Sequence, residues 1–155
     1  MKKLFGALCV VVLFAVTLVA QQSATIPEMT SREYNGLKKD QVFVVMFTAP
    51  YCGPCHAAER KMMTALTKEY AQDKNVIIRK VDVQNDVKPA NGTLLKDAWG
   101  ITALPTFVVV YNDKVMYSHI GYSAISGSVV QQELEYQINT LDTPALPRGG
   151  PLSRL

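Results

Sequence analysis

The sequence predicts an α/β domain with a mixed central β-sheet flanked by helices on both faces. Residues 42–48, "VFVVMFT", are continuously apolar and rich in β-branched side chains, and residues 75–83, "NVIIRKVDV", predict a second buried strand. A third apolar stretch, "TFVVVYN", leads through a tight turn at Asn112 and Asp113 into "KVMYSHI", which is typical of a β-hairpin. A βαβ unit followed by a hairpin combines parallel and antiparallel pairing, so the sheet is expected to be mixed.

Four helices are predicted around these strands. The segment "TSREYNGLKK" opens with a capping box and places a short helix ahead of the first strand. Residues 53–73 have apolar side chains at helical spacing and are predicted to form the helix between the first two strands. These side chains are Ala58, Met62, Ala65, Leu66 and Tyr70. A short helix is expected over residues 93–99, and a last helix is expected to be capped by Ser126 or Ser128.

The N-terminal segment, residues 1–24, is predicted to be a secretory signal peptide or a membrane anchor. A basic start is followed by an uncharged run, residues 4–20, at the short end of what can span a bilayer. Ala20 is small enough to precede a cleavage site, whereas Leu18 occupies the position where a second small residue is wanted. In either case the rest of the chain is expected to face the periplasm, soluble after cleavage or anchored to the cytoplasmic membrane.

Residues 25–142 are predicted to form one domain of nearly neutral charge. Four of the 16 basic residues lie in the end segments, which leaves 12 basic and 13 acidic groups in the domain. This balance lacks the basic stripe of nucleic-acid-binding proteins and excludes that class. The tail, residues 143–155, has three prolines, two glycines and no apolar period, and it is predicted to be disordered. We expect the protein to be a monomer.

The cysteines indicate where the chemistry lies. Cys9 belongs to the export segment and leaves with it on cleavage, so the domain itself contains Cys52 and Cys55. A domain of this size can build its own core, so one pair is better explained by chemistry than by a structural framework. The stretch "PYCGPCH" permits two chemistries, because Cys-x-x-Cys-His attaches a c-type haem and Cys-x-x-Cys is also the redox pair of dithiol enzymes.

The placement of the pair favours the dithiol. A haem-attachment site normally belongs to a small helical fold, whereas this pair follows a buried strand, and Met62 and Met63 are better explained as helix packing and surface than as haem ligands. At a helix N-terminus the Cys52 thiolate is favoured by unpaired N–H groups and by the helix dipole, so Cys52 is the expected nucleophile. Cys55, one turn later and more buried, is the expected resolving thiol. His56 is then a solvated residue of the first helical turn.

At these residues the sequence resembles the thioredoxin family. The resemblance rests on "FTAPYCGPCH", on "AWGITALPTFVVVYNDK" and on Gly121, and it spans roughly residues 26–141. It implies the thioredoxin fold. It also implies that Leu104 and Pro105 form a cis-proline loop, which lies against the redox pair and offers backbone atoms to an incoming extended peptide. A cis bond at this place is physically reasonable because only X-Pro bonds adopt it at low cost. The alternative is an ordinary trans turn that leads into the following strand.

Tyr51, Gly53 and Pro54 complete the predicted redox loop. Pro54 falls in the first helical turn, where its missing N–H costs little and its fixed φ stiffens the loop. Tyr51 stands where the family usually has Trp and keeps an aromatic rim beside the pair.

Two further positions depart from the family pattern. Met46 stands where thioredoxins usually bury an Asp that assists proton transfer from the resolving thiol. Lys80 matches the Lys that ordinarily neighbours this Asp, and it is expected to lack its partner. It would then favour the thiolates or extend its stem along the surface.

Together these features predict a thiol-disulfide oxidoreductase that acts on exported proteins and needs no cofactor or metal beyond the Cys52–Cys55 disulfide. The Gly-Pro interior resembles that of reducing family members, so we expect a reductant that exchanges with protein dithiols and disulfides. A membrane protein is expected to supply its electrons. The alternative is a binding module that holds a soft metal such as Cu(I) between the same thiolates for delivery.

Overall fold

The computed structural model describes residues 25–143, so the predictions for residues 1–24 and for most of the tail lie outside the described residues. Four strands form one sheet in the order β2-β1-β3-β4. They are β1 (Val42–Thr48), β2 (Val76–Asp82), β3 (Thr106–Tyr111) and β4 (Lys114–Ile120). β1 pairs in parallel with β2 and antiparallel with β3, and β3 pairs antiparallel with β4, which confirms the mixed sheet.

Helices cover both faces of this sheet, as predicted. They are α1 (Ser31–Asn35), α2 (Gly53–Ala58), α3 (Thr64–Glu69), α4 (Leu95–Ala98) and α5 (Gly127–Asp142). On one face, side chains of α2, α3 and α5 pack with alternate residues of β1 and β2. On the other face, α1 and α4 cover the remaining residues of the same strands. Between residues 25 and 143, no helix combines the length and the apolar character needed to cross a membrane.

The two parallel strands differ in burial. All seven residues of β1 are buried, as its continuous apolar sequence predicts. The prediction that β2 is equally buried is wrong, because only Val76, Ile78 and Val81 of this strand are buried. β2 lies at one edge of the four-stranded sheet. Its polar side chains Arg79 and Lys80 therefore reach the rim of the core on opposite faces.

The helix after β1 contains a π-helical turn, Glu59–Met63, between α2 and α3. A π turn closes i→i+5 hydrogen bonds and changes which side chains face the sheet. Met62 and Met63 are consequently both buried, at 1% and 0% exposure. The expectation that these methionines include a surface position is therefore wrong. The helix ends at Glu69, before the predicted end at residue 73.

The β-hairpin and the last helix are close to their predicted limits. Asn112 and Asp113 have φ values of 50° and 60°, the left-handed conformations that a two-residue hairpin turn requires. Ser126 occupies the N-cap position of α5, but its side chain makes no capping bond there. Its hydroxyl instead accepts a hydrogen bond from the backbone N–H of Ser123. Ser126 therefore stands at the predicted N-cap position, but the predicted capping by its side chain is wrong. α4 is shorter than the predicted helix over residues 93–99.

Candidate active site

Cys52 and Cys55 lie where the chain leaves β1 and enters α2. Cys52 occupies the N-cap position of α2 with an extended backbone, and Pro54 lies in the first turn. The Sγ atom of Cys52 accepts a hydrogen bond from the backbone N–H of Cys55 at 3.2 Å. After reduction, the same N–H group and the helix dipole would stabilise a thiolate on Cys52.

The two cysteines form a disulfide, with Cα atoms 5.2 Å apart. Cys52 is 7% exposed and Cys55 is 0% exposed, so a substrate reaches the Cys52 sulfur first. Both residues pack with Ala49 in a small apolar cluster. This order of access suits an attacking thiol at Cys52 and a resolving thiol at Cys55.

The rim of the pair is open to solvent. Tyr51, the residue before the first cysteine, is 73% exposed. Gly53 and Pro54, between the two cysteines, are exposed as well. An exposed aromatic ring next to an accessible sulfur gives a protein substrate an apolar contact surface.

The loop before β3 lies against the redox pair. The Leu104–Pro105 peptide bond is cis. Leu104 packs against the apolar cluster that contains both cysteines. Gly121, at the end of β4, has a φ of 93° and donates its backbone N–H to the carbonyl of Pro105 at 2.7 Å. The structure thus brings Leu104, Pro105 and Gly121 together beside the pair.

Met46 and Lys80 lie next to each other on β1 and β2. They are register partners in the parallel pairing, so their side chains leave the same face of the sheet. Met46 is fully buried. The Nζ atom of Lys80 lies 2.8 Å from Oε1 of Glu59, so the expectation that Lys80 lacks a partner is wrong. Glu59 is a site residue that the sequence did not predict, although its position four residues after Cys55 on a predicted helix indicates a shared face.

His56 is exposed, and its Nε2 atom lies 2.9 Å from the carbonyl oxygen of Pro50. A carbonyl only accepts hydrogen bonds, so this ring nitrogen is the donor. Within residues 25–143, no group of three or more His, Cys, Asp or Glu residues is arranged to hold a metal ion.

The site as a whole suits two-electron exchange between sulfur atoms. A disulfide that lies at the surface side of a helix N-terminus can be attacked by an external thiolate, and the reduced pair can attack an external disulfide. In either direction an external sulfur would bond to the more exposed Cys52 sulfur, and the buried Cys55 sulfur would exchange with Cys52 alone.

Among known proteins, the chain is similar to several thioredoxins. The thioredoxin H-type of Chlamydomonas reinhardtii is 40% identical over 80 residues, which are 52% of this chain and 62% of that protein. The TPR repeat-containing thioredoxin TDX of Arabidopsis thaliana is 28% identical over 107 residues, which are 68% of this chain and 24% of that protein. The chain thus spans less than two thirds of the length of either curated relative.

The fold and the family model agree with these matches. The X-ray structure of Fasciola hepatica thioredoxin is 27% identical to this chain, with a TM-score of 0.52 over 72% of this chain and 93% of that one. The family model for thioredoxin matches residues 26–139, which are most of the chain and include both cysteines, the cis-proline loop and Gly121. The match over this range, together with the fold and the helix-capping redox pair, shows that the chain belongs to the thioredoxin family.

Proposed function

We propose that this protein is an exported thiol-disulfide oxidoreductase that reduces disulfides in other exported proteins. The observation that supports it most strongly is the arrangement of the two sulfurs. Cys52 is the accessible helix-capping sulfur, and Cys55 lies fully buried beneath it. The Gly-Pro interior of the motif, which resembles that of reducing family members, favours the reducing direction.

The reaction has two steps. The Cys52 thiolate attacks one sulfur of a client disulfide and forms a mixed disulfide, while the other client sulfur leaves as a thiolate. Cys55 then attacks the Sγ atom of Cys52, which forms the Cys52–Cys55 disulfide and releases the second client thiol. The client gains two electrons and two protons, and the redox pair loses them.

The surface beside the pair fits an extended client segment. Tyr51 is 73% exposed, and Ile120, which pairs with Thr106 next to the cis-proline loop, is 56% exposed. The half-buried Leu104 contacts the cysteine cluster. These apolar groups lie in or next to the redox loop and the cis-proline loop, and they would hold client side chains while backbone atoms of the loop meet the client chain.

The composition of the N-terminal segment supports export. Its basic start and uncharged run, residues 4–20, would direct the domain across the cytoplasmic membrane into the periplasm, with the segment cleaved or retained as an anchor. A reductant in an oxidising compartment must be recharged there. We therefore propose that a membrane protein that transports electrons reduces the Cys52–Cys55 disulfide.

The redox state of the pair in cells tests this proposal. Cells are quenched with acid, free thiols are alkylated with a reagent of measurable mass, and the fractions of reduced and oxidised protein are compared with the donor present and removed. The proposal predicts a mostly reduced pool that becomes oxidised when the donor is removed. A pool that is fully oxidised with the donor present would show an oxidase instead. No specific feature of the described residues favours the Cu(I) alternative, and we do not propose it.

A further inference from the structure

The resolving step requires the Cys55 thiol to lose its proton in an apolar site. Cys55 is fully buried and packs against Ala49, Cys52 and Leu104. Apolar burial favours the neutral thiol over the thiolate. Met46, which lies where the family usually supplies a carboxylate, has no atom that accepts a proton at neutral pH. Any side chain that accepts this proton must therefore stand at another position.

Glu59 is placed to supply this acceptor. It follows Cys55 by four residues, and its backbone N–H donates to the carbonyl of Cys55. Side chains four residues apart lie on one helix face, with Cβ atoms about 5–6 Å apart. Helical side chains also point back toward the helix N-terminus, so the Glu59 side chain extends over the turn that contains Cys55. The side chain of Glu59 is only 18% exposed.

Lys80 holds the carboxylate in this place. Its Nζ atom lies 2.8 Å from Oε1 of Glu59, and its side chain is 20% exposed. The backbone of Lys80 is fixed on both sides, by its register pairing with Met46 and by hydrogen bonds to Pro27 and Met29. A charge-assisted hydrogen bond to a rigid strand gives the carboxylate one preferred direction.

A groove connects this ion pair with the wall of the redox site. Its volume is about 200 Å³, and its lining includes Ala49, Glu59 and Lys80, together with Glu28, His56 and Asp82. Ala49 also packs against both cysteines. Ala49 therefore belongs both to the lining of the groove and to the apolar cluster of the redox pair.

The other charged or titratable groups of the groove are either exposed or hydrogen-bonded to other residues. Glu28 is exposed, and the Asp82 carboxylate accepts hydrogen bonds within its own turn. His56 is exposed and donates from Nε2 to a backbone carbonyl. Lys80 has no lone pair while it carries its charge. Glu59 combines shielding from solvent with a fixed cationic partner.

We propose that Glu59, positioned by Lys80, accepts the proton of Cys55 through water in this groove when a mixed disulfide is resolved. This inference rests on the proposed thiol-disulfide exchange. The Cys55 thiolate then attacks the Sγ atom of Cys52, the Cys52–Cys55 bond forms, and the bond from Cys52 to the client sulfur breaks. The client sulfur leaves as a thiolate and takes up the proton from Glu59, so Glu59 returns to its charged form.

Stopped-flow kinetics with a fluorescent peptide disulfide separates the two steps. Reduced wild-type protein, Glu59→Gln and Glu33→Gln are compared from mildly acidic to mildly alkaline pH. Glu33→Gln is the matched control. Glu33 forms an ion pair with Arg79 at 2.6 Å, and the side chains of this pair have an exposure similar to those of Glu59 and Lys80. Arg79 leaves β2 on the face opposite to Lys80. Glu59→Asp keeps the charge on a shorter side chain, so it measures how much of the resolution rate a shorter carboxylate restores.

Glu59→Gln should slow resolution by about tenfold or more near neutral pH, because positioned proton transfer typically contributes at least that much. The deficit should shrink as pH rises, since solvent then takes the thiol proton. The attack by Cys52 should be unchanged, Glu33→Gln should resolve at the wild-type rate, and Glu59→Asp should recover part of the loss. Resolution in Glu59→Gln that equals or exceeds the wild-type rate would overturn the inference, as would an equal deficit in Glu33→Gln. Failure of wild-type protein to form any mixed disulfide would instead overturn the proposed function.

Discussion

The backbone N–H of Gly121 donates a hydrogen bond to the carbonyl of Pro105 at 2.7 Å, so the end of β4 holds the cis-proline loop beside the redox pair. The φ of Gly121 is 93°, a conformation that side chains with a Cβ atom rarely adopt. The loop that contacts the redox pair thus depends on a glycine that is distant in sequence from both cysteines.

We predict that Gly121→Ala destabilises the fold by about 1–2 kcal/mol, the strain of forcing an L side chain into a left-handed conformation. The displaced loop should also weaken the affinity for a peptide disulfide. Denaturant unfolding and steady-state kinetics check the two effects. Gly36→Ala is the control, since Gly36 has a φ of −95° and an added Cβ would meet ordinary contacts at 3.5 Å. Equal stability of the two variants would contradict the prediction.

Met46→Asp should lower the stability of the fold and raise the rate at which mixed disulfides are resolved. Burial of a carboxylate at a fully buried position costs about 1–3 kcal/mol or more. The new carboxylate would lie beside Lys80 in the sheet, so mixed disulfides on Cys52 should resolve faster near neutral pH. Denaturant melts of the oxidised proteins and stopped-flow measurement of the resolution step test the two halves separately.

Val44→Asp is the matched control for Met46→Asp. Val44 is also fully buried on β1, and it lies on the same face of the sheet in the same apolar cluster. It should lose stability without any gain in resolution rate. The idea fails if Met46→Asp loses stability and resolves no faster than wild type.

Much of the fold follows from local patterns in the sequence. The continuous apolar run of β1 predicts its burial, and Asn112 with Asp113 predicts the hairpin turn, because both signals depend on residues that are adjacent in the chain. The position of Cys52 before a predicted helix likewise predicts that its sulfur is the more accessible one.

The remaining features depend on tertiary contacts. β2 has the composition of a buried strand, and its partial exposure follows from its place at the edge of the sheet. Helical periodicity averages over a single π turn, so the burial of both Met62 and Met63 is not visible in it. The Glu59–Lys80 pair requires this turn, the register of β2 and the packing of the helix together.

The carboxyl group of Asp142 should make stability depend on pH. Burial, followed by the negative charge of Asp73, raises the pKa of Asp142 above its ordinary value of 3.8. Asp142 also ends α5, where the helix dipole disfavours a negative charge. The protonated form is therefore preferred in the folded state, and this contribution is complete below 3.8 and is lost as pH rises through the folded-state pKa.

Asp142→Asn should consequently raise the melting temperature near neutral pH, and the gain should disappear in acid. Thermal unfolding followed by circular dichroism at both pH values checks this. Asp40→Asn, at an exposed turn, is the control and should show no comparable gain. A gain for Asp142→Asn that persists unchanged in acid would contradict the pKa argument.

Trapping client proteins on each cysteine in turn tests the roles of the two sulfurs most directly. Because Cys52 is accessible and Cys55 lies fully buried, Cys55→Ser should accumulate clients as mixed disulfides on Cys52. Non-reducing electrophoresis and mass spectrometry of cells that express Cys55→Ser, Cys52→Ser or the double variant measure the trapped adducts. We expect abundant adducts for Cys55→Ser and few for the other two. Equal trapping by Cys52→Ser would contradict the assignment of Cys52 as the attacking thiol and Cys55 as the resolving one.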